Sequence, residues 1–500
     1  MTKVIRDEIK KYGLKVDHLS KCKEYETLKK LLEEMELFKN TNDEVGEDVL
    51  FNYYLGSGYG IYSDKIIESG KDRSDESVIT TRRLSIFYLR KSSNLYNSTD
   101  DIDPVEQLKI LTNYANELDT LGRCLEAMRI YRKVLEINDR FSIARGNYGM
   151  ALEFFAKIVN VSEHSKKLRC YAYHYIKDAL TLPGYGMNKQ AVDTFQKKID
   201  EFKSSAFYSV ISKLVFNELH EIGDSEEERK YRTWCLNHHL FLNPLNEIMD
   251  TGSEFANDPL TIATFTEDTL MADSTEPPRW FAMINQLKEE YIYARYLCFE
   301  GSEEYNNVHF ADKDVKLSLS SFDGVKYSVR IEQLKSSFRI LYSMYDQICF
   351  FINDFWKVGL PEKKADAYNV YNADNYPKNN IVLTSLYWVI SEFHDIYGEA
   401  QAPPERDLKV LRNAFEHKFV KVHEYQRNKK LQLENDGFYH ISDEELKSRT
   451  LKLLHLSREA LMYLVYAVGI EERNKKNHAK QHVYILRISL TNGKNNMRGK

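Results

Sequence analysis

Arg412, Asn413 and His417 are the residues of this chain whose types and spacing best fit a chemical role. They lie in the segment Leu-Arg-Asn-Ala-Phe-Glu-His, which is typical of a helix. Asn413 and His417 are four residues apart and share one helix face, whereas Arg412 and His417 are about 140° apart around the axis. A fixed cation beside a group that transfers protons is suited to the cleavage of phosphodiesters.

The same pattern occurs a second time in the chain, so the spacing alone is weak evidence. Arg473 and Asn474 precede His478 in a charged stretch without an apolar stripe, which is typical of a solvated helix end or tail. Around the first copy, apolar residues recur at steps of three and four: Leu408, Leu411, Phe415, Phe419 and Val422. This periodicity predicts a packed helix over residues 405–424, which can hold functional side chains in a fixed geometry.

The composition favours a folded, helical protein in a reducing compartment. Pro (10) and Gly (21) are scarce among 500 residues, and 43% of the residues are hydrophobic. The six cysteines have no paired spacing, which argues against disulfides and a structural zinc site. The first residues lack an apolar signal core, and the apolar run at 461–470 is too short to span a bilayer. A cytoplasmic protein without membrane contact is therefore expected.

The net charge of −5 conceals an asymmetry between the two ends of the chain. Residues 401–500 carry a net charge of +8, so the first 400 residues carry −13. A basic carboxy-terminal region fits a polyanionic partner, whereas an acidic remainder fits a scaffold or a protein-binding surface.

An internal repeat marks the amino-terminal part. Asn113-Tyr-Ala and Asn147-Tyr-Gly are offset by 34 residues. The residues between and beside them resemble the small and aromatic positions of a tetratricopeptide (TPR) repeat, with Asp139 in place of its proline: Ala115, Ala127, Tyr131 and Val134. Stacked helical pairs of this kind bury one continuous core. We therefore predict a TPR-like α-solenoid over residues 1–310, in which the glycine-rich stretch 56–60 forms a turn between helices.

The carboxy-terminal part predicts a four-helix bundle over residues 331–475. The expected helices cover 332–356, 381–397, 405–424 and 442–472. The strand-prone stretch 315–329 marks the junction, and a short strand at 483–490 within the basic tail 476–500 can pair with it. The fold class is thus all-α with at most a small β element. Asp346, expected to be buried in the first helix, either pairs with Arg412 or accepts a hydrogen bond from a tyrosine hydroxyl.

The motif on the third helix of such a bundle resembles that of the HEPN (higher eukaryotes and prokaryotes nucleotide-binding) domain. The resemblance extends to the bacterial subfamily with a TPR-like amino-terminal half, through two segments. One is Trp234-Cys-Leu followed by Leu-Asn-Pro-Leu-Asn246. The other is Lys288-x-x-Tyr291 followed by Ala-Arg-Tyr296.

This resemblance implies a metal-independent endoribonuclease without cofactors, of the kind found in antiphage and toxin–antitoxin systems. It also implies a homodimer in which two motifs face one cleft. Arg412 would bind the scissile phosphate, His417 would transfer protons, and Asn413 would orient either the histidine or the phosphate. Two alternatives stay open: a non-catalytic nucleotide- or RNA-binding HEPN protein, and a scaffold or phage sensor in which the TPR-like half binds a protein or phage-derived ligand.

Overall fold

Two compact units make up the chain in the computed structural model. The first comprises Met1–Lys157 with Lys166–Val215, and the second comprises Ile158–Ser165 with Phe216–Lys500. The structure describes these residues: 3–22, 24–71, 75–96, 103–182, 187–213, 222–248, 255–262, 279–303, 309–314, 324–392, 406–424 and 437–478.

The described part of the first unit is helical. Its helices, of which α8 and α9 also reach into the second unit, are α1 (Lys3–Cys22), α2 (Tyr25–Thr41), α3 (Asp43–Gly46), α4 (Val49–Glu68), α5 (Glu76–Tyr96), α6 (Pro104–Thr120), α7 (Cys124–Ile137), α8 (Ser142–Ile158), α9 (Ser162–Thr181), α10 (Lys189–Ser204) and α11 (Tyr208–Ile211). Consecutive helices pack against each other, as α4 does on α5 and α6 does on α7.

The small and aromatic positions of the internal repeat are core positions. Ala115, Ala127, Tyr131 and Val134 are each at most 1% exposed. The Tyr131 hydroxyl donates a hydrogen bond to the Asn116 side-chain oxygen at 2.7 Å, and the Asn147 amide donates to the same oxygen at 2.8 Å. Small residues let the paired helices approach closely, and these polar side chains link three of them.

The glycine-rich stretch at residues 56–60 is not a turn, contrary to the expectation from sequence. It lies in the middle of α4. A Cβ atom on Gly56 would lie 2.8 Å from the Leu89 side chain and 2.9 Å from its backbone nitrogen. The Ser85 hydroxyl also donates a hydrogen bond to the Gly56 carbonyl at 2.8 Å. Glycine is therefore required here because α4 and α5 come into backbone contact.

The second unit holds the remaining elements. They are α12 (Glu226–Asn237), α13 (Arg279–Ser302), α14 (Val329–Phe355), α15 (Ala367–Asn372), α16 (Ile381–Ile390), α17 (Arg406–His417), β1 (Phe419–His423), β2 (Phe438–Ser442) and α18 (Asp443–His478). Short 3₁₀ turns occur at Pro244–Glu247, Phe310–Asp314 and Glu362–Lys364.

The four helices predicted for the bundle are α14, α16, α17 and α18. The long helices α14 and α18 pack together, α16 packs on α18, and α17 packs on α14. A fifth helix, α13, packs against both α14 and α18. The all-α fold class is thus confirmed, with one small sheet among the residues that the structure describes. The domain limits at 310, 331 and 475 stay predictions.

A two-stranded sheet follows directly on α17, where the sequence had predicted that the helix continues to residue 424. That prediction is wrong. Strands β1 and β2 pair in parallel, from Phe419 with Phe438 to His423 with Ser442. Val325, at the predicted junction, forms an antiparallel bridge with His423. The alternation Phe-Val-Lys-Val-His suits a strand, and pairing on both sides of β1 satisfies its backbone groups. The predicted strand at 483–490 lies outside the described residues.

Buried arginines anchor each of the two segments that resemble the bacterial HEPN subfamily. Arg295 of α13 donates two hydrogen bonds to the Asp258 carboxylate, at 2.8 and 2.9 Å. Burial alone would raise the pKa of Asp258, but the Arg295 guanidinium lowers it below its ordinary value. Arg458 of α18 forms an ion pair with Glu247 at 2.5 Å and donates to the Phe241 carbonyl at 2.7 Å. These contacts bind Phe241, Glu247 and Asp258, which precede α13 in the chain, to helices α13 and α18.

Helix α18 is the central helix of the bundle. By length and composition it could cross a membrane, yet 89% of its most apolar window is buried inside the fold. Packing against α13, α14 and α16 accounts for its apolar residues. Its composition therefore carries no membrane assignment.

Candidate active site

Helix α17 carries the three predicted site residues and is anchored on α14. Leu408, Leu411 and Phe415 are 1%, 0% and 7% exposed, as their spacing predicted. The Phe415 ring packs edge-on against Phe338, with ring centres 5.4 Å apart. The Arg339 guanidinium lies 5.4 Å from the Phe415 ring centre and donates a hydrogen bond to the Phe415 carbonyl at 3.1 Å. Apolar contacts on one side of α17 and Arg339 at its end therefore fix its position on α14.

Arg412 is half-buried and held by two contacts. Its guanidinium carbon lies 5.3 Å from the centre of the Tyr342 ring on α14. Its Nη1 donates a hydrogen bond to the Asn413 side-chain oxygen at 3.1 Å. Stacking on a buried tyrosine and bonding to Asn413 restrict the rotamers of a long side chain. The cation is therefore positioned before any ligand binds.

Asn413 and His417 are both exposed, and they share the solvent face of α17. His417 is the last residue of the helix, about 7.5 Å along the axis from Arg412. Within the described part of the chain, the His417 imidazole forms no hydrogen bond to another protein group. This exposed imidazole is thus accessible to a substrate.

Asp346, the accessory candidate, lies one turn along α14 from Tyr342. Its side chain is exposed, so the expectation of a buried acid is wrong. Partial desolvation of the carboxyl raises the pKa of Asp346, the Arg412 guanidinium lowers it, and the Asp366 carboxylate raises it further. Arg412 therefore acts on Asp346 electrostatically, but no ion pair or hydrogen bond joins the two side chains among the described residues.

Two histidines beside the motif helix were not assigned a role from the sequence. His423 of β1 and His440 of β2 stack with their ring centres 5.1 Å apart, and a hydrogen bond of 2.8 Å joins Nε2 of His423 to Nδ1 of His440. The sequence signal was the strand-like alternation at 419–423, which the helical periodicity of the preceding residues obscured. His423 is 3% exposed, so a largely buried hydrogen bond joins the two strands.

The second copy of the motif lies at the end of α18. Arg473 is exposed and its Nη2 donates to the Ile158 carbonyl at 3.5 Å. Asn474 is exposed as well. This copy therefore differs from the first in its surroundings, although both lie on helices.

Residues 271–471 match the family model of LA2681-like HEPN domains. The matched region spans α13 to most of α18 and includes α17 with its motif. This part of the chain belongs to the HEPN superfamily. That superfamily comprises ribonucleases and nucleotide-binding domains. No curated protein and no solved structure matched the chain.

Proposed function

We propose that the protein is a metal-independent endoribonuclease with Arg412, Asn413 and His417 in its active site. The observation that carries the proposal is the fixed Arg412 guanidinium. It stacks on Tyr342, bonds to Asn413 and lies on the same helix as an accessible histidine, inside a HEPN domain. A preorganised cation stabilises the charge that develops on a phosphate during cleavage.

The chemistry needs only groups that the chain and the RNA provide. The 2′-hydroxyl oxygen attacks the adjacent phosphorus, and the bond from phosphorus to the 5′-oxygen breaks. The 2′-hydroxyl gives its proton to a base, and the leaving 5′-oxygen takes a proton from an acid, so the products are a 2′,3′-cyclic phosphate and a 5′-hydroxyl. His417 serves as base or acid, and Arg412 holds the phosphate oxygens. DNA lacks the 2′-hydroxyl and is spared.

The test is a cleavage assay with single-stranded RNA and with DNA of the same sequence, in the presence and absence of EDTA. Cleavage of RNA alone, unaffected by EDTA and ending in a cyclic phosphate, is expected. Arg412→Ala and His417→Ala are each expected to abolish it. Loss of activity with EDTA, or full activity in both variants, would refute the mechanism.

We further propose that the site is completed in a homodimer. The angle of about 140° between Arg412 and His417 makes it difficult for one helix to direct both side chains at one phosphate. Mixing the Arg412→Ala and His417→Ala chains tests this directly, because a mixed dimer contains one intact composite site. Random exchange should restore roughly a quarter of the wild-type activity. No recovery, with dimers confirmed by light scattering, would assign the whole site to one protomer.

The helical first unit supports a regulatory role in an antiphage or toxin-type effector of the cytoplasm. Its paired helices resemble TPR arrays, which bind protein segments on their concave surfaces. We propose that a protein or phage-derived ligand binds there and controls cleavage. The measurement is the RNA cleavage rate of the full chain in extracts of infected and uninfected cells, with Arg412→Ala as the inactive control. Equal rates in the two extracts would argue against such a trigger.

A further inference from the structure

A cavity of about 290 Å³ lies beside the carboxy-terminal end of α17. Four basic side chains line it: Lys335 and Arg339 of α14, Lys418 between α17 and β1, and Lys421 of β1. Two carboxylates lie among them: Glu332 contacts Lys335 at 2.7 Å, and Glu416 lies 3.9 Å from Arg339. The cavity therefore keeps an excess of positive charge, which suits an anionic ligand. Its volume is near the lower limit for ligand sites, about 300 Å³, which suits a single small ligand group.

Aromatic rings form the mouth of the same cavity. Phe419 of β1 is 77% exposed and Phe438 of β2 is 38% exposed, with their ring centres 5.9 Å apart. Lys421 places its Nζ 3.9 Å from the centre of the Phe438 ring. A solvent-exposed phenylalanine ring can stack on a nucleobase, and the neighbouring cations can bind the attached phosphate.

The cavity lies beside the candidate active site, along the same face of α14. Lys335, Arg339, Tyr342 and Asp346 follow one another at steps of four, three and four residues, so they lie on one face of α14. Arg412 stacks on Tyr342, which is about 4.5 Å along the helix axis from Arg339. Lys418 directly follows His417, the last residue of α17. A strand of RNA in the cavity would therefore continue past both motif residues.

We propose that this aromatic–basic pocket binds one unpaired nucleotide of single-stranded RNA next to the bond that is cut. The inference rests on the proposed function and adds its substrate class. The base stacks on the solvent-facing side of the Phe419 ring, and Arg339 and Lys418 hold the flanking phosphates. A base within a duplex has both faces covered by its neighbours, so the pocket selects single strands, loops and ends.

The test is RNA binding by the full-length chain in a His417→Ala background, which separates binding from cleavage. The probe is a fluorescein-labelled polyuridylate strand, and the readout is fluorescence anisotropy. Phe419→Ala is expected to weaken binding about 5- to 150-fold, the range for one stacked base. Phe419→Trp, which keeps a stacking surface, is expected to bind at least as tightly as the parent. Lys418→Gln should lower the salt dependence by about 0.7 in the log–log slope.

Phe310→Ala is the matched control, because Phe310 is 76% exposed and lies outside the pocket. It should leave binding unchanged. Unchanged binding in Phe419→Ala, or competition by polyglutamate as strong as by RNA, would overturn the pocket assignment even if cleavage still depends on Arg412. Loss of RNA binding in Phe419→Ala, with cleavage indifferent to Arg412, would instead support the pocket and refute the nuclease.

Discussion

The two copies of Arg-Asn-x3-His differ in what surrounds them. At residues 412–417 the arginine stacks on the buried Tyr342 ring and bonds to its neighbouring asparagine. At residues 473–478 the arginine is exposed and reaches a backbone carbonyl of Ile158 at 3.5 Å. Helix geometry gives both copies the same angles, because the spacing is the same. The difference lies in the neighbouring elements that fix the side chains.

This comparison shows that the same helix spacing can occur in very different surroundings. In the first copy, α14 contributes Arg339 and Tyr342, which hold the end and the middle of α17. The strand β1 begins one residue after Lys418 and adds a basic, aromatic surface. The second copy lies in the last turns of a long helix whose apolar residues serve the bundle core. A cation fixed in advance loses less entropy when it binds a phosphate.

The largest expected effect is the loss of proton transfer in the first copy only. His417→Ala should lower kcat/KM for RNA cleavage by about 10²- to 10⁴-fold, the range for removal of a general acid or base. His478→Ala is the matched control at the same motif position and should leave the rate unchanged. Initial rates with labelled RNA measure both. Equal losses in the two variants would mean that the second copy also takes part.

The next effect concerns the packing that distinguishes the two helices. Phe415→Ala should lower the free energy of unfolding by about 3–5 kcal/mol, because it removes a buried ring and leaves a cavity against Phe338. Asn474→Ala, at an exposed position of the second copy, should change it by less than about 0.5 kcal/mol. Urea denaturation followed by circular dichroism provides the measurement. A small effect of Phe415→Ala would show that α17 is not fixed by this contact.

The sequence predicted the buried face of α17 because Leu408, Leu411 and Phe415 follow the helical period. It could not predict where the helix ends, since Phe419 and Val422 continue the same period. The choice between helix and strand after His417 depends on tertiary pairing with β2 and with Val325, which are distant in sequence. Local periodicity carries no information about such partners.

Most of the surroundings of Arg412 could not be predicted from the sequence either. Tyr342 and Asp346 fall on one face of α14, which the spacing does indicate. That this face meets Arg412 depends on how α14 and α17 pack, and ridges on two helices allow several crossing angles. The candidate site residues could therefore be proposed from the sequence, whereas contacts such as that of Arg412 with Tyr342 required the fold.

The smallest expected effect tests whether Asp346 belongs to the site or only modulates it. Asp346→Asn removes a negative charge that interacts with Arg412, so phosphate binding should strengthen and KM should fall, with kcat/KM changed by less than about tenfold. A loss as large as that of His417→Ala would instead make Asp346 part of the machinery.

The pH dependence of stability gives an independent check on the same residue. The pKa of Asp346 is raised in the folded protein, mainly by desolvation of the carboxyl. The stability linked to the protonated acid is thus present below the unfolded pKa of about 3.9 and is lost as the pH rises through the folded pKa. Asp346→Asn lacks this loss, so its stability relative to wild type should increase between about pH 4 and pH 7. Urea denaturation at the two pH values measures this difference. A constant difference would mean that Arg412 compensates the desolvation of the carboxylate completely, and the electrostatic link between α14 and the motif helix would then be stronger than its geometry indicates.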